Sequence, residues 1–259
     1  YGMDLLTVMM HEMGHVFGLE DVYDSTGRDN LMYAGFEAGE RRLPVLDQAD
    51  GAEVGSQVDA KATQTLTVSS VADLYTQIDA FNNQTADDFI LNLDQATYLL
   101  DSGQLLVTNT TNTLTINNTS GGTVTIDANN ASRAFFVDNN ATVFLNDLII
   151  TNGQISEGNG GGIYVDTGAT LNITNVTLLD NEVIDSVDNN TNALGGGIYN
   201  NSGIIVSTNS DFTNNKATRN GGNETAGGGG FFSNGGAADV TITGGTFSGN
   251  TARDGGGMY

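Results

Sequence analysis

The chain has 259 residues, and its 31 Asp and Glu against eight Lys and Arg give a formal net charge of −23. Nucleic acid and anionic membrane surfaces would repel such a chain, so neither is expected as a partner. The absence of Cys excludes disulfides and thiolate metal sites, and no apolar run reaches the roughly 18 residues that a membrane-spanning helix needs.

Residues 1–46 form a first region that is rich in Met, His and Glu. The stretch DLLTVMMHEMGHVFG predicts a helix, with Asp4 as its N-cap and Gly18 as the residue that ends it. The chain begins without Met and ends within a repeat, so we expect a fragment of a longer protein.

The predicted helix carries both histidines of the chain, His11 and His15. Their four-residue spacing places them on one side of the helix, one turn apart. Two imidazoles in this arrangement can bind one Zn²⁺, and Glu12 beside them can deprotonate a metal-bound water. A chain reversal at Gly18 would bring Asp21 to the metal as a third, oxygen ligand.

This pattern resembles the metzincin clan of zinc peptidases, and its Asp form is similar to the snapalysin-like branch: His11-Glu12-x-x-His15-x-x-Gly18-x-x-Asp21. The segment DNLMY at 29–33 resembles the Met-turn, with Met32 as an apolar floor under the zinc. The resemblance implies that residues 1–46 are the C-terminal part of a zinc endopeptidase domain that acts on protein or peptide substrates. Since the upstream sheet of that domain is missing, we expect no activity from the fragment alone.

Two other interpretations concern the same region. A gluzincin-type site would take Glu37 or Glu40 as third ligand, but it would leave Gly18 and Met32 unexplained. Asp24 and Asp29 are candidates for a calcium site, although solvated turns are the simpler interpretation.

Residues 47–62 are small, polar and acidic, which is typical of a linker. From Thr63 onward, TLTVSS predicts a strand and VADLYTQIDAFNN predicts a helix over 71–82 with its apolar residues on one face. Short Thr-, Val- and Ile-rich runs follow, separated by Gly and Asn turns, and predict further strands.

The last hundred residues repeat, with Gly triplets that start at Gly160, Gly195, Gly228 and Gly255, which are 35, 33 and 27 residues apart. Within each unit the third Gly and a later Asn keep a nearly constant separation: Gly162 to Asn181, Gly197 to Asn215, Gly230 to Asn250. The variation falls after that Asn. Stacked coils with one variable corner produce such a pattern, because insertions can only bulge outward.

These features predict a parallel β-solenoid, in which Ile163 stacks on Ile198, Phe231 and Met258, and Val176 lies near Phe212 and Phe247. The glycines would form corners with positive φ, and corner asparagines would form side-chain ladders. The helix over 71–82 would cap the first coil and cover its open edge.

The GGGIY repeats resemble the right-handed parallel β-helix proteins of the pectate-lyase-like superfamily, and more closely the repeats of bacterial surface and polymorphic outer-membrane proteins. The resemblance covers residues 63–259. It implies a mainly β fold, a right-handed parallel β-helix, and a secreted or cell-surface location of bacterial type.

Two sets of solenoid residues are candidates for function. The first is a set of acids that would form a glycosidase pair or a calcium cluster, or remain solvated corners: Asp138, Asp147, Asp180 and Asp185. The second consists of Tyr164, Tyr199 and Tyr259, which follow the Gly triplets and would bind sugar or, as we favour, stack on one another.

Three functions follow from these observations. We expect first a secreted zinc endopeptidase segment attached to a β-helix that displays it or binds a surface. The alternative is an adhesin-like or carbohydrate-binding β-helix whose peptidase motif is vestigial. A polysaccharide-cleaving β-helix is the third, and it requires carboxylates that converge on one face.

Overall fold

The computed structural model describes four stretches of the chain: residues 61–185, 192–219, 226–234 and 239–259. The chain divides into two units, residues 1–60 and 61–259, and all the described residues belong to the second. The predicted peptidase segment and nearly all of the predicted linker therefore lie outside the described residues.

The described residues form strands in six successive coils, preceded by β1 (Thr63–Val68) and one helix, α1 (Val71–Asn82). The first three coils contain β2 (Asp88–Leu93), β3 (Thr97–Leu99) and β4 (Leu105–Val107); β5 (Thr113–Asn118), β6 (Val124–Asp127) and β7 (Phe135–Val137); β8 (Thr142–Asn146), β9 (Leu148–Thr151), β10 (Gln154–Ser156) and β11 (Ile163–Val165). The last three contain β12 (Thr170–Thr174), β13 (Thr177–Leu179), β14 (Glu182–Asp185), β15 (Ala193–Leu194) and β16 (Ile198–Asn201); β17 (Ile204–Thr208), β18 (Asp211–Thr213), β19 (Lys216–Arg219), β20 (Ala226–Gly227) and β21 (Phe231–Asn234); β22 (Asp239–Thr243) and β23 (Phe247–Ser248).

Strands at equivalent places in successive coils pair in parallel and build three long sheets. Sheet 1 has the order β1-β2-β5-β8-β12-β17-β22, sheet 2 the order β3-β6-β9-β13-β18-β23, and sheet 3 the order β4-β7-β11-β16-β21. The inward residues of all three meet in one apolar core, as alternating burial along β5 and β8 shows. The predicted parallel β-helix is confirmed. Its right-handed winding stays a prediction from the resemblance.

The coils differ in length, mainly between sheets 2 and 3. Paired residues of sheet 1 are 29 positions apart between the second and third coils (Leu114 and Val143) but 34 apart between the fourth and fifth (Leu171 and Ile205). Part of the added chain forms two small sheets, β10-β14-β19 and β15-β20. The predicted variable corner is confirmed, and inserted residues of adjacent coils pair with one another.

The predicted stack of Ile163, Ile198, Phe231 and Met258 is confirmed by the strand register. Val176 and Phe212 are buried in one core cluster, and the backbone N–H of Asp211 donates to the Val176 carbonyl at 2.9 Å, so Val176 lies near Phe212 as predicted. The register adds that the residue paired with Phe212 is Leu178, and that Phe212 in turn pairs with Phe247.

Helix α1 covers the first coil, as predicted. Ser70 caps its N-terminus by accepting a hydrogen bond from the backbone N–H of Asp73, and three apolar residues are buried on its inner face: Leu74, Ile78 and Phe81. Burying each of them stabilises the cap by about 1.5–3 kcal/mol. The Asn82 side chain also bonds the Leu106 carbonyl and the Thr108 N–H beside β4, the edge strand of sheet 3. In the described part of the chain, no helix has the length and hydropathy of a membrane span.

The first three Gly triplets and their nearly constant spacing to Asn have one structural explanation. The third Gly of each of these triplets lies against the Asn side chain of its own coil, so that a Cβ at Gly197 would meet the Asn215 Cγ at 3.2 Å and the Gly230 carbonyl oxygen at 2.4 Å. We call this region, formed by the first three triplets and Asn181, Asn215 and Asn250, the glycine corner. The fixed separation in sequence is thus a direct contact across the coil.

Candidate functional site

The residues predicted to form the zinc site lie outside the described residues: His11, Glu12, His15, Gly18, Asp21 and Met32. The same holds for the alternative ligands Glu37 and Glu40 and for Asp24 and Asp29. The zinc assignment and the calcium alternative in that region therefore stay predictions.

The four solenoid acids considered as a catalytic pair or calcium cluster lie at different places on the coil. Asp138 follows β7 of sheet 3, and Asp147 forms the exposed corner between β8 and β9. Asp180 is an exposed corner residue after β13, whereas Asp185 is fully buried in β14. Across the four described stretches no group of three or more His, Cys, Asp or Glu residues could hold a metal. Asp147 and Asp180 are therefore best described as solvated corner residues.

The aromatic residues after the Gly triplets form one continuous row on the outside of sheet 3, which we call the aromatic row: Phe136, Tyr164, Tyr199, Phe232 and Tyr259. Phe136 and Tyr164 stack with ring centroids 4.7 Å apart and planes 3° from parallel. Tyr199 stacks on Phe232 at 5.7 Å, and Phe232 stacks on Tyr259 at 5.2 Å.

Stacking within the aromatic row uses the ring faces that a sugar would need. Tyr199 and Phe232 are only 5% and 8% exposed, and Leu194 of β15 packs against both of them. Tyr259, at 59% exposed, is the most accessible ring of the row. The favoured interpretation of Tyr164 and Tyr199 as structural stacking residues agrees with this geometry.

Arg133 covers one end of the aromatic row. Its guanidinium carbon lies 5.4 Å from the centroid of Phe136 and 5.3 Å from that of Tyr164, a cation–π arrangement. The guanidinium also donates to Gln104 Oε1 at 2.8 Å and to the carbonyls of Gly160 and Asn159. Burial lowers the pKa of Arg133 and raises the pKa of Tyr164 to about 12, with Asp166 adding to the latter shift. The Arg133 guanidinium is therefore already bound by groups of the β-helix.

The outward side of sheet 1 is the widest uniform surface of the described residues, and we call it the threonine face. It consists of three rows that cross seven strands: Thr63, Asp88, Thr113, Thr142, Thr170, Ile204, Asp239; Thr65, Ile90, Thr115, Phe144, Asn172, Val206, Thr241; Thr67, Asn92, Asn117, Asn146, Thr174, Thr208, Thr243. Eleven of these 21 residues are Thr and four are Asn, and none is basic.

Part of the third row is an asparagine ladder. The Asn146 side-chain amide donates to Asn117 Oδ1 at 2.8 Å, and the Asn117 amide donates to Asn92 Oδ1 at 3.3 Å. An amide side chain has two donor hydrogens and two acceptor lone pairs, so Asn117 keeps one of each after making both bonds. The threonine face therefore presents paired donors and acceptors at the spacing of the strands.

Sequence reasoning missed the threonine face. A signal was present in TLTINN, TVFLN and TLNIT, where Thr or Asn alternates with apolar residues. Alternation of this kind identifies the buried residues, but only the register shows that the intervening Thr and Asn residues form continuous rows. Comparisons with known proteins found no matching family model, no matching curated protein and no matching solved structure.

Proposed function

We propose that this chain joins a zinc endopeptidase segment, residues 1–46, to a β-helix that displays the segment or binds a surface outside the cell. The observation that carries the peptidase part is the spacing of His11, Glu12, His15, Gly18 and Asp21. Two imidazoles and one carboxylate form a donor set that fits a catalytic zinc, with a further position left for water.

The proposed roles of the residues follow from their chemistry. His11, His15 and Asp21 would hold the metal, which supplies Lewis acidity to the scissile carbonyl and to the attacking water. Glu12 would take the proton from that water and pass it to the leaving amine. Gly18 would reverse the chain so that Asp21 reaches the metal, and Met32 would lie beneath the site. Each role belongs to a residue type that can perform it at neutral pH.

The β-helix suits the proposed display role because it is a stiff, extended support. Every coil pairs with its neighbours along three sheets, and helix α1 covers the first coil. Rigid coils of this kind offer long outer faces that can carry binding residues. The described carboxylates provide no cluster of three that would hold calcium within this support.

The peptidase proposal is tested with Glu12→Gln in the full-length protein. We expect this variant to retain one tightly held zinc per chain and to lose peptide cleavage, since Gln keeps the size of Glu but cannot accept the proton. Glu53→Gln, in the predicted linker, is the matched control and should cleave normally. Unchanged cleavage in Glu12→Gln would refute the assignment of Glu12.

Zinc content also separates the proposed ligands from their alternatives. His11→Ala and Asp21→Ala should each lower the zinc content to well below one per chain. If instead Glu37→Gln or Glu40→Gln removes zinc while Asp21→Ala retains it, the third ligand belongs to the gluzincin type.

A second candidate function is an adhesin-like or carbohydrate-binding β-helix with a vestigial peptidase motif. The threonine face favours it, because this wide surface provides hydrogen-bonding groups without basic residues. Surface binding by a full-length protein that holds no zinc and cleaves no peptide would select this function over the first.

A further inference from the structure

We infer that the threonine face binds the flat surface of an uncharged β-linked glucan. The inference rests on the binding role proposed for the β-helix and names its surface and ligand class. It depends on three properties of the face: its charge, its hydrogen-bonding groups and the apolar residues of its middle row.

The charge of the threonine face distinguishes it from the rest of the chain. The whole chain has a net charge of −23, yet the face has only two charged residues among its 21 positions, Asp88 and Asp239. Lys61 forms an ion pair with Asp88 at 3.1 Å. An anionic polysaccharide would find only Lys61, which is already paired with Asp88, and a second copy of the chain would bring another 23 negative charges. A neutral ligand avoids both costs.

The hydrogen-bonding groups of the face match those of a sugar hydroxyl, which both donates and accepts. Threonine hydroxyls have the same dual character, and Asn117 retains one donor and one acceptor beyond its ladder bonds. Neighbouring strands in a sheet lie about 4.8 Å apart, so these groups recur along a face about 29 Å long. A ligand with a regular array of hydroxyls can therefore bind several strands at once.

The middle row carries an apolar residue on every second strand, with Thr or Asn on the strands between. These apolar residues are Ile90, Phe144 and Val206, all of them half-buried. Phe144 lies between Thr115 and Asn172 on the adjacent strands, so its register neighbours are not aromatic. This differs from the aromatic row, where each ring has aromatic neighbours. Apolar side chains at this place can pack on the C–H face of a pyranose ring while Thr and Asn bond its hydroxyls.

Sheet 2 provides an internal comparison. Its outward positions form only two rows, Thr97, Thr125, Ile149, Thr177, Asp211 and Leu99, Asp127, Thr151, Leu179, Thr213, Ser248. Each row contains a carboxylate, and Asp127 and Asp211 already accept hydrogen bonds from their own chain. Sheet 2 therefore offers a narrower surface of similar residue types, with as many carboxylates as the threonine face on about half as many positions.

The test is co-sedimentation of the full chain with microcrystalline cellulose. We expect the wild-type chain to bind, with little change between about 0.1 and 1 M NaCl, because screening weakens only charge-based attraction. Thr115→Lys places a long charged side chain in the middle row and should weaken binding at least tenfold. Thr125→Lys makes the same change at a half-buried position of sheet 2 and should bind like the wild type.

Thermal unfolding of both variants shows whether they fold. Absence of binding by the wild-type chain, or equal loss in two folded variants, would overturn the inference. Equally strong binding to soluble polygalacturonate would overturn it as well, because that polymer is anionic. Dimers that Thr115→Lys dissociates would assign the face to a second copy instead. None of these outcomes affects the zinc measurement, so the peptidase proposal and this one fail separately.

Discussion

The glycine corner and the threonine face are formed by the same coils, but they differ in how closely the residues of successive coils resemble one another. At the glycine corner, each residue stacks on an identical residue of the next coil: Gly161 on Gly196, Gly162 on Gly197, Asn181 on Asn215. On the threonine face, Thr115 is followed by Phe144 and then by Asn172. Repetition of identical residues therefore occurs where backbones approach one another, and residues vary where only a pleated surface is required.

Two asparagine ladders make the same contrast. Inside, the Asn215 amide donates to the Leu178 carbonyl at 2.8 Å and to Asn250 Oδ1 at 3.0 Å, while its own Oδ1 accepts from the backbone and side chain of Asn181. Outside, Asn117 makes one donor and one acceptor bond in its ladder. The inner amide is fully satisfied and joins its own coil to both neighbouring coils, whereas the outer amide keeps groups available for a ligand.

The largest expected effect comes from Gly196→Ala. A Cβ there would lie 2.5 Å from the Gly229 carbonyl oxygen, the Lys216 N and the Lys216 carbonyl oxygen, all backbone atoms that cannot rotate away. We expect a loss of about 3 kcal/mol in the free energy of unfolding, measured by urea denaturation. Gly122→Ala is the control, since the nearest atom to its Cβ is Ser120 Oγ at 4.0 Å. Equal stability of the two variants would contradict the role given to the triplets.

A smaller effect is expected from Asn215→Ala, compared with Asn117→Ala as its matched partner. The first change leaves the buried Leu178 carbonyl and the Asn181 N–H without their bonds, which should cost about 2–3 kcal/mol. The second change affects a half-buried residue that water can reach, and it should cost about 0.5 kcal/mol or less. Chemical denaturation of both variants under the same conditions measures the two losses in the free energy of unfolding. A larger loss in Asn117→Ala would reverse the comparison between the ladders.

The sequence predicts the glycine corner well and the threonine face poorly, for one physical reason. The close approach of adjacent backbones leaves room only for Gly at Gly197, and the hydrogen bonds at Asn215 require an amide side chain. The same residue types therefore recur in the sequence of successive coils. Outward positions tolerate many residues, and their rows become visible only through the register. The pairing of Leu178 rather than Val176 with Phe212 likewise follows only from the register, because both residues are apolar and fully buried. The peptidase motif lies outside the described residues, so the zinc site stays a prediction from the spacing of its residues.

The smallest expected effect concerns the aromatic row, which like the glycine corner consists of similar residues in register. Burial, with Asp166 adding to it, raises the pKa of Tyr164 to about 12, so the fold favours the neutral phenol. Below pH 10 the phenol is protonated in both states, but between about pH 10 and 12 only the unfolded chain loses the proton, so stability falls as the pH rises. Tyr164→Phe keeps the ring and should reduce this fall. The phenolate absorbance titration of the wild type should contain a component near pH 12, and Tyr164→Phe should reduce it by the amplitude of one Tyr. Burial also raises the pKa of Tyr75, Tyr98 and Tyr199, so other late-ionising phenols remain. An unchanged component in Tyr164→Phe would contradict its assignment to Tyr164.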